Sequence, residues 1–261
     1  MINPAQAAIE LVLLAVALVV ARSVGGAGHR RFVLAFAAAA ALANLGFYGI
    51  AVWPLYLEAA ATQGIDLGVF RAAVVFETLR WGVLALVLSR VALKLQDAGL
   101  PGGFAWRRGK TAMGRVVAAG VLAGVVTTGA MFGLSLIQQR LGYFDKLPWP
   151  GAYGEPIDVS FAIGAGLRNL VGEEAFARLG AQSIALYLLR NVRGGAILSI
   201  AASALIFELW HNPFERPLFL NFTGSAIFGW AYHRHGYEAA AVAHCVADWL
   251  LLAAVPLLFL R

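Results

Sequence analysis

The sequence predicts an all-α fold, a polytopic transmembrane helical bundle of about eight spans. Of the 261 residues, 61% are hydrophobic and only 13% are charged, whereas a soluble domain is about half apolar and about a quarter charged. The mean hydropathy is +0.75. Apolar runs long enough to cross a bilayer recur along the whole chain. Little of the chain is therefore left to form a soluble domain.

Eight apolar runs account for most of the chain. No Lys or Arg precedes the first run and no clear cleavage site follows it, so we interpret it as a retained span rather than a signal peptide. The fifth run is long enough to be tilted or broken. The predicted spans cover residues 5–22, 32–56, 69–93, 114–138, 160–189, 194–211, 217–233 and 237–260.

These spans divide the chain into three predicted parts. Residues 1–139 hold spans one to four, residues 140–159 form a linker, and residues 160–261 form a core of spans five to eight. The linker and the segment 95–113 contain Pro and Gly, which predicts irregular or interfacial structure. We expect the chemistry of the protein to reside in the C-terminal core.

The formal charge of +6 comes from basic residues in short loops, a pattern typical of orientation signals rather than of nucleic-acid binding. Basic loops follow spans one, three, five and seven. The positive-inside rule places these loops in the cytoplasm and both termini on the opposite side. We therefore expect a multi-pass protein of the cell (cytoplasmic) membrane. The single cysteine, Cys245, excludes an intramolecular disulfide.

Three charged residues interrupt the fifth span, which otherwise suits lipid: Glu173, Glu174 and Arg178. Ionisable groups at membrane depth cost a few kcal/mol each, so they persist mainly when they face one another, water or a substrate. Glu174 and Arg178 are four residues apart on one helix face, which predicts an ion pair. Glu173 is then the freer base.

Spans five and six form a predicted hairpin with its turn near residue 192. Glu173 and His211 both lie 19 residues from that turn, or about 28 Å along each helix, so an antiparallel hairpin brings them to one level. A carboxylate beside an imidazole suits the activation of water.

The eighth span adds His244 and Asp248, four residues apart. The aspartate could hold one imidazole nitrogen, or the two side chains could flank a substrate carbonyl. His244 lies only about nine residues, roughly 13 Å, from the preceding turn. Either the eighth helix is displaced, or its loop and helix ends dip into the membrane.

Three motifs on these spans resemble those of the CPBP family of CAAX-processing and bacteriocin-processing intramembrane proteases. The segment Glu173-Glu174-Ala-Phe-Ala-Arg178 matches EExxxR, Phe207-Glu-Leu-Trp-His211 matches FxxxH, and His244-Cys-Val-Ala-Asp248 matches HxxxN/D, in the family's order. The resemblance covers about residues 160–250. It implies an active site within the membrane, in the C-terminal half of the chain.

The resemblance also implies residue roles. Glu173 is implied as the general base, His211 and His244 with Asp248 as the groups that activate water or bind the oxyanion, and Glu174, Arg178 and Phe207 as support. Family members are described both as metalloproteases and as glutamate proteases without metal. Zinc is possible here on Glu173, His211 and His244, but these residues are not spaced as an HExxH pair. We favour the mechanism without a cofactor.

Other charged residues depart from this pattern or lie outside it. Glu208 is an additional acid one turn before His211, and position 248 is Asp where Asn also occurs in the motif. Glu77 and Arg80 are three residues apart in span three, which predicts an ion pair. Glu10, near the start of span one, is interpreted as interfacial.

The motifs predict an intramembrane endopeptidase that hydrolyses a peptide bond in a membrane-tethered protein or peptide. Its expected partners are that substrate and the lipid bilayer, with no nucleic acid. The alternative is a non-enzymatic membrane protein, either a proton-coupled transporter or an immunity or scaffold protein, that uses the same buried charges. A transporter often shows inverted repeats, and no repeat is visible here. A scaffold would tolerate the loss of Glu173.

Overall fold

The computed structural model describes residues 4–24, 29–64, 66–108, 113–143, 159–211 and 219–255. Within these ranges the chain is helical and contains no strand, which confirms the all-α prediction. The helices are α1 (Pro4–Ser23), α2 (Arg30–Gln63), α3 (Leu67–Asp97), α4 (Met113–Arg140), α5 (159–188), α6 (Gly195–His211), α7 (Phe219–His235) and α8 (Tyr237–Ala254).

Five of the described helices are long and apolar enough to cross a membrane: α1, α2, α3, α4 and α8. Helix α6 is equally apolar in character but has only 17 residues. Helix α5 is interrupted and carries several charges, so it lacks an uninterrupted apolar window. These helices support a membrane bundle, while the number of eight spans stays a prediction.

Helix α2 is longer than its apolar run. A π-helical segment, Tyr48–Val52, joins its first part to the α-helical segment Trp53–Gln63, whereas the sequence analysis placed residues from 57 onward in a loop. That prediction was wrong because hydropathy falls at Glu58 while the helix-forming residues around it continue. Gly64, with φ +69°, ends the helix in the left-handed region.

Helix α5 is broken, as its length suggested. It runs as an α-helix over Val159–Val171, is interrupted at Gly172, and continues as a π-helical segment over Ala175–Gln182. Every residue of that π-helical segment is buried. Of the predicted linker, residues 144–158 lie outside the described residues, as do the loop residue Lys110 and residues 256–260 of the predicted eighth span.

Helices from both halves of the chain contribute to one hydrophobic core. Helix α8 packs against α4, α5 and α7, and α2 packs against α3 and α5. The core joins Leu13 of α1, Leu88 of α3, Val116 of α4, Leu179 of α5 and Ala243 of α8. The helices predicted as an N-terminal part therefore pack against those that carry the site motifs.

Gly236, in the turn between α7 and α8, is buried. Gly236 adopts φ +97°, and a Cβ there would lie 2.7 Å from the amide nitrogen of Ala105. The loop after α3 covers the turn: Tyr237 N donates to Gly103 O (2.8 Å), and Ala105 N donates to Glu238 Oε2 (2.7 Å). The loop after α3 therefore packs on the turn, while the depth of the turn in the membrane stays a prediction.

Candidate active site

The α5–α6 hairpin brings Glu173 and His211 together, as the residue count predicts. Oε2 of Glu173 lies 3.3 Å from Nε2 of His211, and the Glu173 side chain is only 3% exposed. Nδ1 of His211 lies 3.0 Å from the carbonyl oxygen of Phe207. Because a carbonyl only accepts, Nδ1 donates that bond, which fixes the ring and turns Nε2 toward the carboxylate.

His244 enters the same site from α8. Its Nδ1 lies 2.9 Å from Oε1 of Glu174, and its Nε2 lies 4.0 Å from Oε2 of Glu173. Its ring stacks on Phe228 with 4.9 Å between the centroids. Phe207, which is buried, lies between the two imidazoles, 4.3 Å from the ring of His211 and 5.9 Å from that of His244. Both histidines therefore present Nε2 toward Glu173.

Asp248 stands on the same side of His244 as Glu173. Its Oδ2 lies 3.7 Å from Nε2 of His244 and accepts a 2.8 Å hydrogen bond from Nδ2 of Asn169. Glu174, rather than Asp248, thus forms the hydrogen bond that orients the His244 ring. Of the two arrangements left open by the sequence, this geometry resembles the one in which His244 and Asp248 flank a common space.

Arg178 is completely buried, and its guanidinium is satisfied by three helices. Nε donates to Oε2 of Glu174 at 3.0 Å, which confirms the predicted ion pair. Nη1 bonds to Gln182 and to Ser203 of α6, and Nη2 donates to Ser225 of α7 at 2.6 Å. Glu174 therefore bridges Arg178 and His244, and no charge in this pair is left uncompensated.

Two polar residues of the site were missed in the sequence analysis: Arg168 and Asn169. Arg168 forms an ion pair with Oε1 of Glu173, so Glu173 is not the unpaired carboxylate that we expected. The guanidinium also lies over the rings of Phe47 (5.0 Å) and Trp81 (5.9 Å). An additional arginine only five residues before Glu173 in the same span was the signal that could have revealed it.

The convergent polar groups line a cavity of about 150 Å³ inside the bundle. Aromatic and aliphatic side chains form the rest of its wall, and its polar lining comes from Asn169, Glu173, His211, Asn221, Ser225, His244 and Asp248. A water molecule occupies about 30 Å³ in the liquid, so the cavity has room for a few waters beside the carboxylate. The arrangement can hold a nucleophilic water between a base and two imidazoles.

The residues proposed for zinc do not form a metal site in this arrangement. Among the described residues, no group of three or more His, Cys, Asp or Glu side chains is placed to hold a metal ion. Zinc requires its nitrogen and oxygen ligands at about 2.0–2.2 Å from one point. The Arg168 guanidinium already occupies the second oxygen of Glu173. We therefore derive no step through a metal.

A second buried network adjoins His211. Glu10, expected to be interfacial, is 5% exposed and accepts hydrogen bonds from Arg80 (3.0 and 3.2 Å) and from Nε1 of Trp210 (2.8 Å). Arg80 also forms the predicted ion pair with Glu77, at 2.8 Å. The Trp210 ring meets the His211 ring edge-on, with the centroids 4.7 Å apart. The interfacial interpretation of Glu10 was therefore wrong.

Glu208 lies outside the catalytic cavity lining. Its Oε2 accepts a 2.7 Å hydrogen bond from the amide of Phe222 in the first turn of α7. The first amides of a helix have no partner within the helix. Glu208 therefore satisfies one of these donors and joins α6 to α7.

Comparison with known proteins identifies one related family. Residues 155–250 match the family model described as type II CAAX prenyl endopeptidase Rce1-like. The matched segment includes α5, α6, α7 and most of α8. It therefore contains Glu173 of α5, His211 of α6, and His244 and Asp248 of α8. Neither the curated proteins nor the solved structures give a match to the chain.

Proposed function

We propose that the chain, whose residues 155–250 match the Rce1-like family of CAAX prenyl endopeptidases, is an intramembrane endopeptidase acting through water activated by Glu173. The family implies a multi-pass membrane protein with CAAX-type protease activity in general. We further propose which residues perform the hydrolysis and which kind of substrate they bind.

One observation supports the catalytic assignment above the others. Oε2 of Glu173 faces Nε2 of both His211 and His244, at 3.3 and 4.0 Å, beside a cavity large enough for water. These residues come from three different helices. A purely structural ion pair would not require a carboxylate and two imidazoles to line a common cavity.

In the proposed reaction, Glu173 accepts a proton from water while the water oxygen attacks the scissile carbonyl carbon. The carbonyl oxygen becomes an oxyanion. His211 or His244 stabilises it as an imidazolium, whose Nε2–H donates to the oxyanion while Nδ1 keeps its bond to Phe207 O or to Glu174. The C–N bond then breaks, and the proton held by Glu173 passes to the leaving amine. The products are a carboxylic acid and a shortened peptide carrying a new amino terminus.

Arg168 and Glu174 act as positioning residues in this scheme. Arg168 holds one oxygen of Glu173 and leaves the other facing the histidines. Glu174 holds Nδ1 of His244, so that Nε2 faces the cavity. Because Arg178 compensates the charge of Glu174, the catalytic carboxylate and the supporting carboxylate have separate cationic partners.

We propose a membrane-tethered protein or peptide as the substrate. The site lies within a bundle whose helices α1 to α4 are each apolar enough to cross a membrane. A substrate anchored in the same membrane, by a lipid or by a helix, reaches such a site by lateral diffusion. The scissile bond would lie in an extended segment next to the anchor, because a helical backbone does not expose its carbonyl carbons to attack.

The test is cleavage of a pooled set of tagged, membrane-anchored peptides by the purified protein in liposomes. We expect cleavage by the wild type and loss of at least about a hundredfold in Glu173→Gln and in His211→Ala. Glu58→Gln is the matched control, because Glu58 is an exposed carboxylate at the far end of α2. Cleavage that persists in Glu173→Gln contradicts the assignment of the base.

The same cleavage assay, repeated in the presence of a chelator, tests whether hydrolysis requires a metal ion. Activity that survives prolonged chelation supports hydrolysis by Glu173 and the histidines alone. Activity that is lost on chelation and restored by zinc contradicts the metal-free mechanism. If the wild type cleaves no peptide, yet Glu173→Gln abolishes a proton-coupled flux across the liposome membrane, the protein is a transporter and not a protease.

A further inference from the structure

A cavity of about 750 Å³ lies between α1, α2 and α3, away from the candidate active site. The two cavities share no lining residue. The wall is mainly aliphatic and includes Leu18, Val33, Leu86, Val87 and Val91. Its volume falls within the range of about 300–1,000 Å³ that is typical of small-molecule sites.

One end of this cavity is strongly basic. Arg22 at the end of α1, Arg30 at the start of α2 and Arg90 near the end of α3 all contribute to its lining, and each is exposed. None of the three forms an ion pair or hydrogen bond with another residue in the part of the chain that the structure describes. Three guanidinium groups therefore converge on one space without a protein counter-charge.

The other two basic residues of the lining are already engaged. Nζ of Lys94 donates to the carbonyl oxygens of Ala21 and Val24 at 2.8 and 3.1 Å, where it binds the C-terminal end of α1. His29 lies 3.4 Å from Asp97. Lys94 and His29 thus have partners within the protein, while the three arginines remain available to a ligand.

We propose that this cavity binds an anionic phospholipid, with an acyl chain along the aliphatic wall and the phosphate on Arg22, Arg30 and Arg90. Guanidinium groups match the geometry and charge of phosphate oxygens. The positive-inside rule places this end of the bundle on the cytoplasmic side, where the leaflet supplies anionic lipids. A zwitterionic lipid would compensate the arginines less completely.

The apolar wall distinguishes a lipid from a small phosphate compound. Inorganic phosphate or glycerol phosphate could meet the arginines but would leave the aliphatic surface uncovered. An acyl chain would cover that surface by van der Waals packing, as lipid chains do against apolar side chains. Only a molecule with both a phosphate group and a hydrocarbon chain would therefore contact the three arginines and the aliphatic wall together.

The test is native mass spectrometry of the full chain in a neutral detergent, together with its thermal unfolding midpoint. The probes are phosphatidylglycerol, phosphatidylcholine with the same acyl chains, and glycerol phosphate. We expect one molecule of phosphatidylglycerol to bind in preference to the others and to raise the midpoint. The triple variant Arg22→Gln, Arg30→Gln, Arg90→Gln should weaken this binding at least about tenfold.

A charge-matched control removes three other exposed arginines through Arg115→Gln, Arg140→Gln and Arg193→Gln. A second variant, Val87→Trp, fills the aliphatic wall without changing the charge. The control should retain the bound lipid and Val87→Trp should lose it. Equal loss in both triple variants, equal binding of phosphatidylcholine, equal binding of glycerol phosphate, or retention in Val87→Trp would each overturn the proposal.

Discussion

Glu173 is held between a cation and two imidazoles. Arg168 binds one of its oxygens, and the other oxygen faces His211 and His244. A carboxylate with 3% exposure requires such compensation, because burying an unpaired charge is expensive. The ion pair with Arg168 also leaves Oε2 of Glu173 as the oxygen that can contact water. Arg168 therefore connects the stability of the site with its chemistry.

Replacing Arg168 should lower turnover more than substrate binding. In Arg168→Gln the carboxylate loses the partner that orients it, so we expect kcat to fall about ten- to a hundredfold with KM little changed. Arg168→Lys keeps the charge and should recover part of the rate. Steady-state kinetics on a cleaved peptide measure both constants. A rise in KM with unchanged kcat would instead indicate that Arg168 binds substrate.

Trp210 should stabilise the folded protein through its hydrogen bond to Glu10. Trp210→Phe keeps most of the aromatic ring but removes the donor at 2.8 Å, and we expect a loss of about 1–3 kcal/mol in the free energy of unfolding. The control is Trp230→Phe, because Trp230 is 51% exposed. Denaturant unfolding in detergent compares the two. Equal stability of both variants would show that the buried bond contributes little.

The sequence predicted residue contacts well where helix geometry alone decides them. The four-residue spacing gave the Glu174–Arg178 pair, and equal distances from a turn gave the Glu173–His211 contact. It did not predict Glu10–Trp210, since those residues are 200 positions apart and their contact depends on how α1 packs against α6. Contacts of this kind arise from tertiary packing and have no local pattern.

At the level of elements, α4 and α8 approach closely along two glycines. A Cβ on Gly120 would lie 2.7 Å from the carbonyl oxygen of Ala239, and one on Gly124 would lie 2.7 Å from that of Ala243. Small residues four apart allow membrane helices to pack backbone to backbone. Ala243 immediately precedes His244, so this contact determines where α8 carries its histidine.

Adding one methyl group at this contact should move α8. We expect Gly124→Ala to destabilise the protein by about 1–3 kcal/mol and to lower kcat, because His244 shifts away from Glu173. Gly129→Ala on the same helix is the matched control, since nothing lies within 4 Å of its added Cβ. Unfolding midpoints and peptide cleavage test both. Full activity in Gly124→Ala would show that α8 is not held in place by this contact.

The apolar runs predicted where helices occur better than they predicted the residues at which helices begin and end. Helix α2 extends to Gln63 because helix-forming residues continue after hydropathy has fallen, and the π-helical segment Ala175–Gln182 has no signature in the pattern used. The glycine contact between α4 and α8 was not predicted. Hydropathy reports burial in lipid, whereas helix ends and helix pairs depend on capping and shape.

For the whole molecule, the basic loops predict an orientation that labelling can test. Single cysteines are introduced by Arg193→Cys, after α5, and by Glu58→Cys, near the end of α2, in a background carrying Cys245→Ser. We expect a membrane-impermeant maleimide to label position 58 in intact cells and position 193 only after permeabilisation. The opposite pattern would invert the bundle, and the basic end of the α1–α3 cavity would then face the other leaflet.

The composition predicted the class of the whole molecule, but not the cavity at Glu173 or the cavity between α1, α2 and α3. The cavity between α1 and α3 requires three side chains from separate helices to converge. The cavity at Glu173 requires side chains of α5, α6 and α8 to converge. A single sequence contains the necessary residues but not their relative placement. Positions within a span were predictable, whereas the spaces between spans were not.

The bonds around Arg178 bear on how the protein is made. Ser203 and Ser225 bind its guanidinium from α6 and α7, while Glu174 passes the connection on to His244 of α8. Until those helices meet, α5 carries charges that lipid does not satisfy. We therefore expect the last four helices to leave the insertion machinery of the cell as a group, so that biosynthesis yields the complete site or none of it.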